Sequence, residues 1–252
     1  LPFTALDRSF IEKYDLHLRT DCHLALSSIV NLTTSFRTIV NEAVADGILT
    51  FNPFWGYEPE RPQWKQKYLT AEELESIMTT PLHNARLYII RDLFLFSCYT
   101  GISYGDMCLL TKDDLVTDEN GTLWIRTSRK KTKVEYEVPL LEVPLHILSK
   151  YRDVEPNGKL LPMYCNSDVN KYLKTIATKC GINRRIVFHA ARHTYATEIT
   201  LSHGVPLETV SKMLGHTRVD TTQIYAKVTD DKINADTKRL DNKISERFTI
   251  AI

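Results

Sequence analysis

Between residues 189 and 228 the chain reads HAARHTYATEITLSHGVPLETVSKMLGHTRVDTTQIYAKV, and this stretch gathers the side chains best suited to chemistry. If its opening is helical, His189, Arg192 and His193 share one face, because positions i, i+3 and i+4 are neighbours on a helix surface. Gly204 breaks that helix, and Pro206 opens another whose apolar stripe of Val210, Met213 and Leu214 ends at Gly215. His216 follows this terminus, where loop residues commonly reach a site. Asp220 is placed to cap a further helix that carries Tyr225 about one and a half turns in. Two histidines four apart also have the spacing of a zinc helix, but the glutamate of His-Glu-x-x-His is missing, so no metal is expected. A lone histidine or tyrosine is usually packing. The ordered combination of imidazoles, guanidinium and phenol is what points to function.

These side chains need a scaffold, and the rest of the sequence reads as mainly α with a small antiparallel β-sheet. From Phe3 to Leu49 apolar residues recur at three and four, through Leu24, Ile29, Leu32, Phe36, Ile39, Val40, Ala43 and Val44, which predicts a small helical domain over 1–52. Gly47 is a plausible helix stop. A proline-punctuated run with Pro53, Pro59 and Pro62 reads as an interdomain linker over 53–67. A second domain, 68–252, opens on Thr70 and Glu73 in the pattern of a capping box, followed by ARLYIIRDLFLFSCYTG, apolar on nearly all sides as a buried helix is. NGTLWIRT and VEYEVPL alternate as strands around the basic turn SRKKTK. NSDVNKYLKTIATKCG is again helical, with Asn166, Ser167 or Asp168 as its cap and Gly181 at its end.

With 252 residues, 43% of them hydrophobic, the chain can bury one large core and a smaller one. No apolar run approaches a membrane span, and the N-terminus lacks a signal pattern, so a cytosolic protein, or one at home with DNA, is expected. The chain opens on Leu1 rather than Met, which suggests a longer protein. Cys22, Cys98, Cys108, Cys165 and Cys180 are odd in number and lack Cys-x-x-Cys spacing, so they read as reduced packing residues. The formal net charge of +1 does not announce a nucleic-acid binder, but charge is clustered in Arg126, Arg129, Lys130, Lys131 and Lys133.

The spacing His-x-x-Arg, then Gly-His, then a tyrosine nine residues beyond that histidine resembles the tyrosine recombinases, or phage integrases. The likeness extends to the helical first domain, the linker, YLTAEEL, a Thr-Gly segment near residue 100 and the basic hairpin, and is closest to integrases of mobile and conjugative elements from Bacteroides-type bacteria. It implies a core-binding domain and a catalytic domain forming a C-shaped clamp around duplex DNA. Tyr225 would attack a phosphodiester to give a 3′-phosphotyrosyl bond and a free 5′-hydroxyl; the bond energy is retained, so no cofactor, ATP or metal is required. Arg192 would clamp the non-bridging oxygens, His189 and His216 would hydrogen-bond them or shuttle the phenolic proton, and Lys131 would protonate the leaving oxygen, with Lys130 its rival. His193 is left outside this set as local support. The hairpin cations Arg126, Arg129, Lys130 and Lys133 would contact DNA phosphates.

One position departs from the pattern. The family's first catalytic arginine follows the Thr-Gly turn, where TGISYGD has Ser103; Asp106 does match the acidic position beyond it. Arg126, Arg129, Arg184 and Arg185 are candidate substitutes. The resemblance also implies a homo-tetramer on DNA that is monomeric when free, accessory DNA-bending or directionality proteins, and a C-terminal tail, residues 230–252, that docks on a neighbouring protomer. A type IB topoisomerase and a catalytically weakened DNA-binding relative are the alternatives, the latter drawing on Ser103.

Overall fold

The first unit is built on two helices, α1 (Arg8–Thr20) and α2 (Leu26–Ala45). The Asp7 side chain accepts from Phe10 N at 2.7 Å, satisfying one of the free N–H groups that open α1. Ile11, Val40 and Ala43 meet Leu6, Leu49, Phe54 and Tyr57 in one apolar cluster, with Phe36 edge-on to Phe54 at 5.4 Å between ring centroids. The core therefore reaches past residue 52 into the run read as a linker, because Phe54 and Tyr57 are large rings that need a home. Leu32 and Ile39, counted in the apolar pattern of α2, are instead exposed. The computed structural model describes residues 2–61, 67–153, 158–226, 236–238, 240–241 and 244, and the chain divides into compact units Leu1–Lys65 and Gln66–Ile252.

The second unit begins with α3 (Ala71–Thr79), whose Thr70 and Glu73 form the expected capping box. Helix α4 (Ala85–Thr100) is apolar all round and lies at the centre of the core, with Ile90, Leu93, Phe94, Phe96 and Cys98 buried. It ends at Gly101 in the left-handed conformation, and a short α5 (Tyr104–Met107) follows. Three antiparallel strands come next, β1 (Leu115–Thr117), β2 (Leu123–Ser128) and β3 (Glu135–Pro139), in that spatial order. Ile125 faces both Leu115 and Val138, so the inner face is apolar, while Arg126 lies opposite Glu137 on the outer one. The strand β1 has no counterpart in the alternating segments of the sequence.

Helices α6 (Glu142–Tyr151) and α7 (Asn166–Lys179) pack against α4. The cap of α7 is Cys165, not Asn166, Ser167 or Asp168, and Cys165 and Cys22 are exposed rather than packed. The run from His189 is helical but not uniform: α8 (Ala190–Thr194) passes into a π-helical stretch at Tyr195–Thr200 and a 3₁₀ turn that Gly204 closes. Thr200 Oγ1 donates to the carbonyls of Tyr195 and Ala196, at 3.0 and 2.8 Å, which supports the wider turn. Pro206 precedes α9 (Leu207–Met213) as its cap, and Val219 rather than Asp220 precedes α10 (Asp220–Gln223). No helix among the described residues is long and apolar enough to cross a membrane. The tail, apart from a few helical positions between 236 and 244, lies outside the described residues.

Candidate functional site

Arg192 lies in the floor of the second unit, only 2% exposed. Its Nη1 donates to Gly101 O at 2.7 Å, and its Nη2 donates to Leu214 O and to His216 Nε2, the latter at 3.0 Å. Burial first, then the charge of Arg129, lowers its pKa to about 10, which still leaves it cationic at neutral pH. Two glycines bring the backbone close enough for this arrangement. Gly101 has φ +70°, and a Cβ there would lie 2.4 Å from Tyr195 Cδ1 and 2.8 Å from Leu214 Cδ2. Gly215 has φ +62°, and its Cβ would lie 2.9 Å from Arg129 Cγ.

An arginine can only donate, so His216 Nε2 carries a lone pair and its Nδ1 proton points to Thr222 Oγ1, 2.8 Å away. Thr222 is fully buried and thereby fixes the imidazole. Burial, followed by the charges of Arg192 and Arg129, lowers the His216 pKa to about 4, so the ring is neutral at pH 7. Tyr225 stacks near-parallel to it at 6.4 Å and is 7% exposed. Burial raises the phenol's pKa, and the Arg192 guanidinium, by charge and hydrogen bond, pulls it partly back.

His193, outside the set read from sequence, stands edge-on to both Tyr225 at 5.0 Å and His189 at 4.8 Å. His189 keeps an exposed edge, yet the protein packed around the ring and then the charges of Arg192, Lys67 and Arg129 lower its pKa. A cavity of about 440 Å³ opens beside it, lined by Ser103, Tyr104, Asn170, Arg185, His189 and Arg192 among others.

Ser103 is occupied by its own turn: its hydroxyl donates to Asp106 Oδ2 at 2.7 Å. The buried Asp106 also accepts from Lys130 N at 2.9 Å and lies 3.0 Å from Arg129 Nε. Because that Nε has no well-aligned acceptor, its attraction to Asp106 is an ion pair rather than a directed hydrogen bond. Arg129 Nη1 donates to Leu214 O at 3.0 Å, the same carbonyl that Arg192 holds, so two guanidinium groups converge on one oxygen.

The other candidate cations are placed differently. Arg126 pairs with Glu137 at 3.2 Å on the outer sheet face, and Arg184 is held by Glu73 and Tyr68 O. Arg185 is exposed at the cavity rim. Lys130, Lys131 and Lys133 are exposed on the turn, and the Lys131 side chain makes no hydrogen bond or ion pair among the described residues. The structure thus brings together Arg192, His189, His216, Tyr225 and Arg129, and leaves Lys131 at the surface. Sequence reasoning did not single out Thr222 and set His193 aside. The signals available were a threonine three residues before the tyrosine, and the i+4 spacing from His189. Among the described residues, no group of three or more His, Cys, Asp or Glu side chains is arranged to hold a metal.

Comparison with known proteins bears on the family and the fold. Residues 67–232 match the phage integrase family, and residues 1–59 match the phage integrase SAM-like domain. A tyrosine recombinase XerD of Listeria monocytogenes is 29% identical over 219 residues, covering 80% of this chain and 72% of that protein. A tyrosine recombinase of Pseudothermotoga lettingae is 27% identical over 246 residues, with coverages of 93% and 83%. In fold, the Tn1549 transposon integrase, solved in complex with a circular intermediate DNA, has a TM-score of 0.78 at 18% identity, over 94% of this chain and 87% of that one. A lambda integrase dimer bound to a COC′ core site has a TM-score of 0.70 at 17% identity, over 91% and 86%. With a family match over most of its length, the chain belongs to the phage integrase family.

Proposed function

We propose that the chain is a site-specific DNA recombinase that cuts and rejoins DNA through Tyr225. The observation that carries this reading is the phenol of Tyr225, buried beside the Arg192 guanidinium and a neutral, oriented His216. In the proposed step, Tyr225 Oη attacks the scissile phosphorus; the Oη–P bond forms as the P–O5′ bond breaks. Arg192 neutralises the non-bridging oxygens as the phosphorus becomes five-coordinate; His189 hydrogen-bonds them, and His216, whose Nδ1 proton is held by Thr222 and whose Nε2 carries a lone pair, is the acceptor for the phenolic proton. Lys131 supplies the proton that leaves with O5′. Its backbone follows two anchored residues, Arg129 on Leu214 O and Lys130 N on Asp106, which supports a role close to the site despite its exposed side chain.

Arg129 is the best supported substitute for the arginine absent at Ser103. It is a largely buried cation next to Arg192, and its charge lowers the pKa values of Arg192, His189 and His216. Arg126 and Arg184 are engaged elsewhere. The sequence resemblance carries the reading further, to integrating and excising a mobile element of the Bacteroides type in the bacterial cytoplasm; the transposon and lambda integrases share the fold. On that reading the chain works as a homo-tetramer on duplex DNA, with accessory proteins, and Lys130, Lys133 and Arg126 contact phosphates along it.

The test is a nicked suicide substrate, from which the cleaved end diffuses away. Wild type is expected to give a covalent protein–DNA band and Tyr225→Phe none, while non-covalent binding stays near wild type. An adduct at normal yield from Tyr225→Phe would sink the assignment. DNA binding without any wild-type adduct would instead support the weakened-relative alternative.

A further inference from the structure

The four-residue helix α10 is too short to hold Tyr225 by itself, since helices of this length owe their order to tertiary packing. Past it, the tyrosine backbone makes one turn bond among the described residues, Tyr225 N to Thr222 O at 3.0 Å, and its neighbour Ile224 is 62% exposed. What fixes the phenol ring is therefore its surroundings. His216 lies parallel to it at 6.4 Å, and His193 meets it at 5.0 Å with 68° between planes, the edge-to-face geometry aromatic pairs favour. His193 is itself braced edge-on by His189 at 4.8 Å and rooted in α8 one residue beyond Arg192. Its side chain makes no hydrogen bond among the described residues, and burial, then the charges of His189, Lys67 and Arg192, lowers its pKa to about 4. Among the described residues, the contacts its ring makes are with the rings of His189 and Tyr225.

We infer that His193 is a positioning residue for Tyr225, orienting the phenol toward Arg192 through ring contact rather than through proton transfer. The inference rests on the proposed role of Tyr225, and it makes the residue beside the clamping arginine a link between that arginine's helix and the nucleophile. The contact being one aromatic pair, its loss should slow the chemical step by roughly two- to tenfold rather than abolish it.

The experiment compares wild type with His193→Ala and His193→Gln, which remove the ring, and His193→Phe, which keeps a ring and removes both nitrogens. Single-turnover adduct formation is measured at saturating suicide DNA, so that affinity does not enter. The ring-less variants should slow while binding DNA normally, and His193→Phe should recover most of the rate. Either a ring-less variant at the wild-type rate, or His193→Phe as slow as His193→Ala, overturns the inference. A second readout needs no catalysis: with 3-fluorotyrosine incorporated, the Tyr225 fluorine resonance, identified by its loss in Tyr225→Phe, should move in both ring-less variants and much less in His193→Phe. An unmoved resonance in the ring-less variants also overturns it. A wild type that forms no adduct counts against the recombinase reading, and the fluorine measurement then still decides whether His193 orients Tyr225.

Discussion

The floor around Arg192 and the turn between β2 and β3 are both cationic, yet they are built in opposite ways. In the floor the guanidinium donates to two carbonyls and to His216, and His216 is fixed in turn by buried Thr222. On the turn, Lys130, Lys131 and Lys133 are exposed, and Lys133 takes a left-handed φ of +58° to close the loop. Arg129 belongs to the turn by sequence and to the floor by contact, since it reaches Asp106 and Leu214 O. The contrast teaches that orientation in the floor is set by folding, whereas the lysine side chains present charge with no fixed partner among the described residues. Under the proposed function, the groups that must meet the phosphorus are prearranged and the proton donor acquires its geometry with the DNA.

The sharpest way to break this comparison is to move Arg129 out of the floor. Arg129→Ala is expected to lower the single-turnover rate of adduct formation by roughly 10²–10³-fold, the scale of losing one preorganised charge stabiliser. A loss below about threefold would return Arg129 to the turn. Ser103→Arg sharpens the same point: the new cation would compete for Asp106 and displace Arg129, so little gain or a loss is expected, and a tenfold gain would show an incomplete clamp.

Next in size is the backbone that shapes the floor. Gly101→Ala adds a Cβ in contact with Tyr195 at a positive φ and should destabilise the chain by about 3 kcal/mol, read from denaturant midpoints. A neutral result would mean that the close approach at Gly101 is dispensable. On the turn, by contrast, Lys131→Ala should leave stability unchanged and slow cleavage by roughly 10²-fold on normal DNA, but much less on a substrate with a 5′-bridging sulfur, which leaves without a proton. Equal slowing on both would make Lys131 a binding residue and turn attention to Lys130.

The smallest effect is in the pH dependence of stability. His193 and His216 have folded pKa values of about 4 against an ordinary 6.5, so between these values the unfolded chain binds more protons. Their contribution is complete above pH 6.5 and is lost as the pH falls toward 4. Allowing for solvent screening of partly exposed rings, this is about 1 kcal/mol for each. Thermal melts from neutral pH down to about pH 5 should show the decline, and the His193→Phe, His216→Gln double variant should flatten it; an equally steep decline there would place the protonation elsewhere.

Much of this was legible in the sequence where a local rule decides. The capping box at Thr70 and Glu73, the all-apolar α4, the hairpin and the glycine stops follow from short-range pattern. The candidate site residues were picked by type and order, and the resemblance supplied their expected roles. What the pattern missed depends on distant packing. No local signal draws Arg129 to Leu214 O, an oxygen 85 residues away, or places His193 against Tyr225. Phe54 and Tyr57 looked like linker because prolines punctuate their neighbourhood, yet ring burial outweighed that signal. The π-helical stretch after α8 is equally invisible to a pattern that assumes one helical period.

The central claim, that Tyr225 in this floor is the nucleophile, is tested most directly by digesting the trapped protein–DNA adduct and sequencing the joined peptide by mass spectrometry. The account predicts a single modified peptide with Tyr225 linked to a 3′-phosphate and a free 5′-hydroxyl on the released strand. Linkage through another residue, or to a 5′-phosphate, would contradict it.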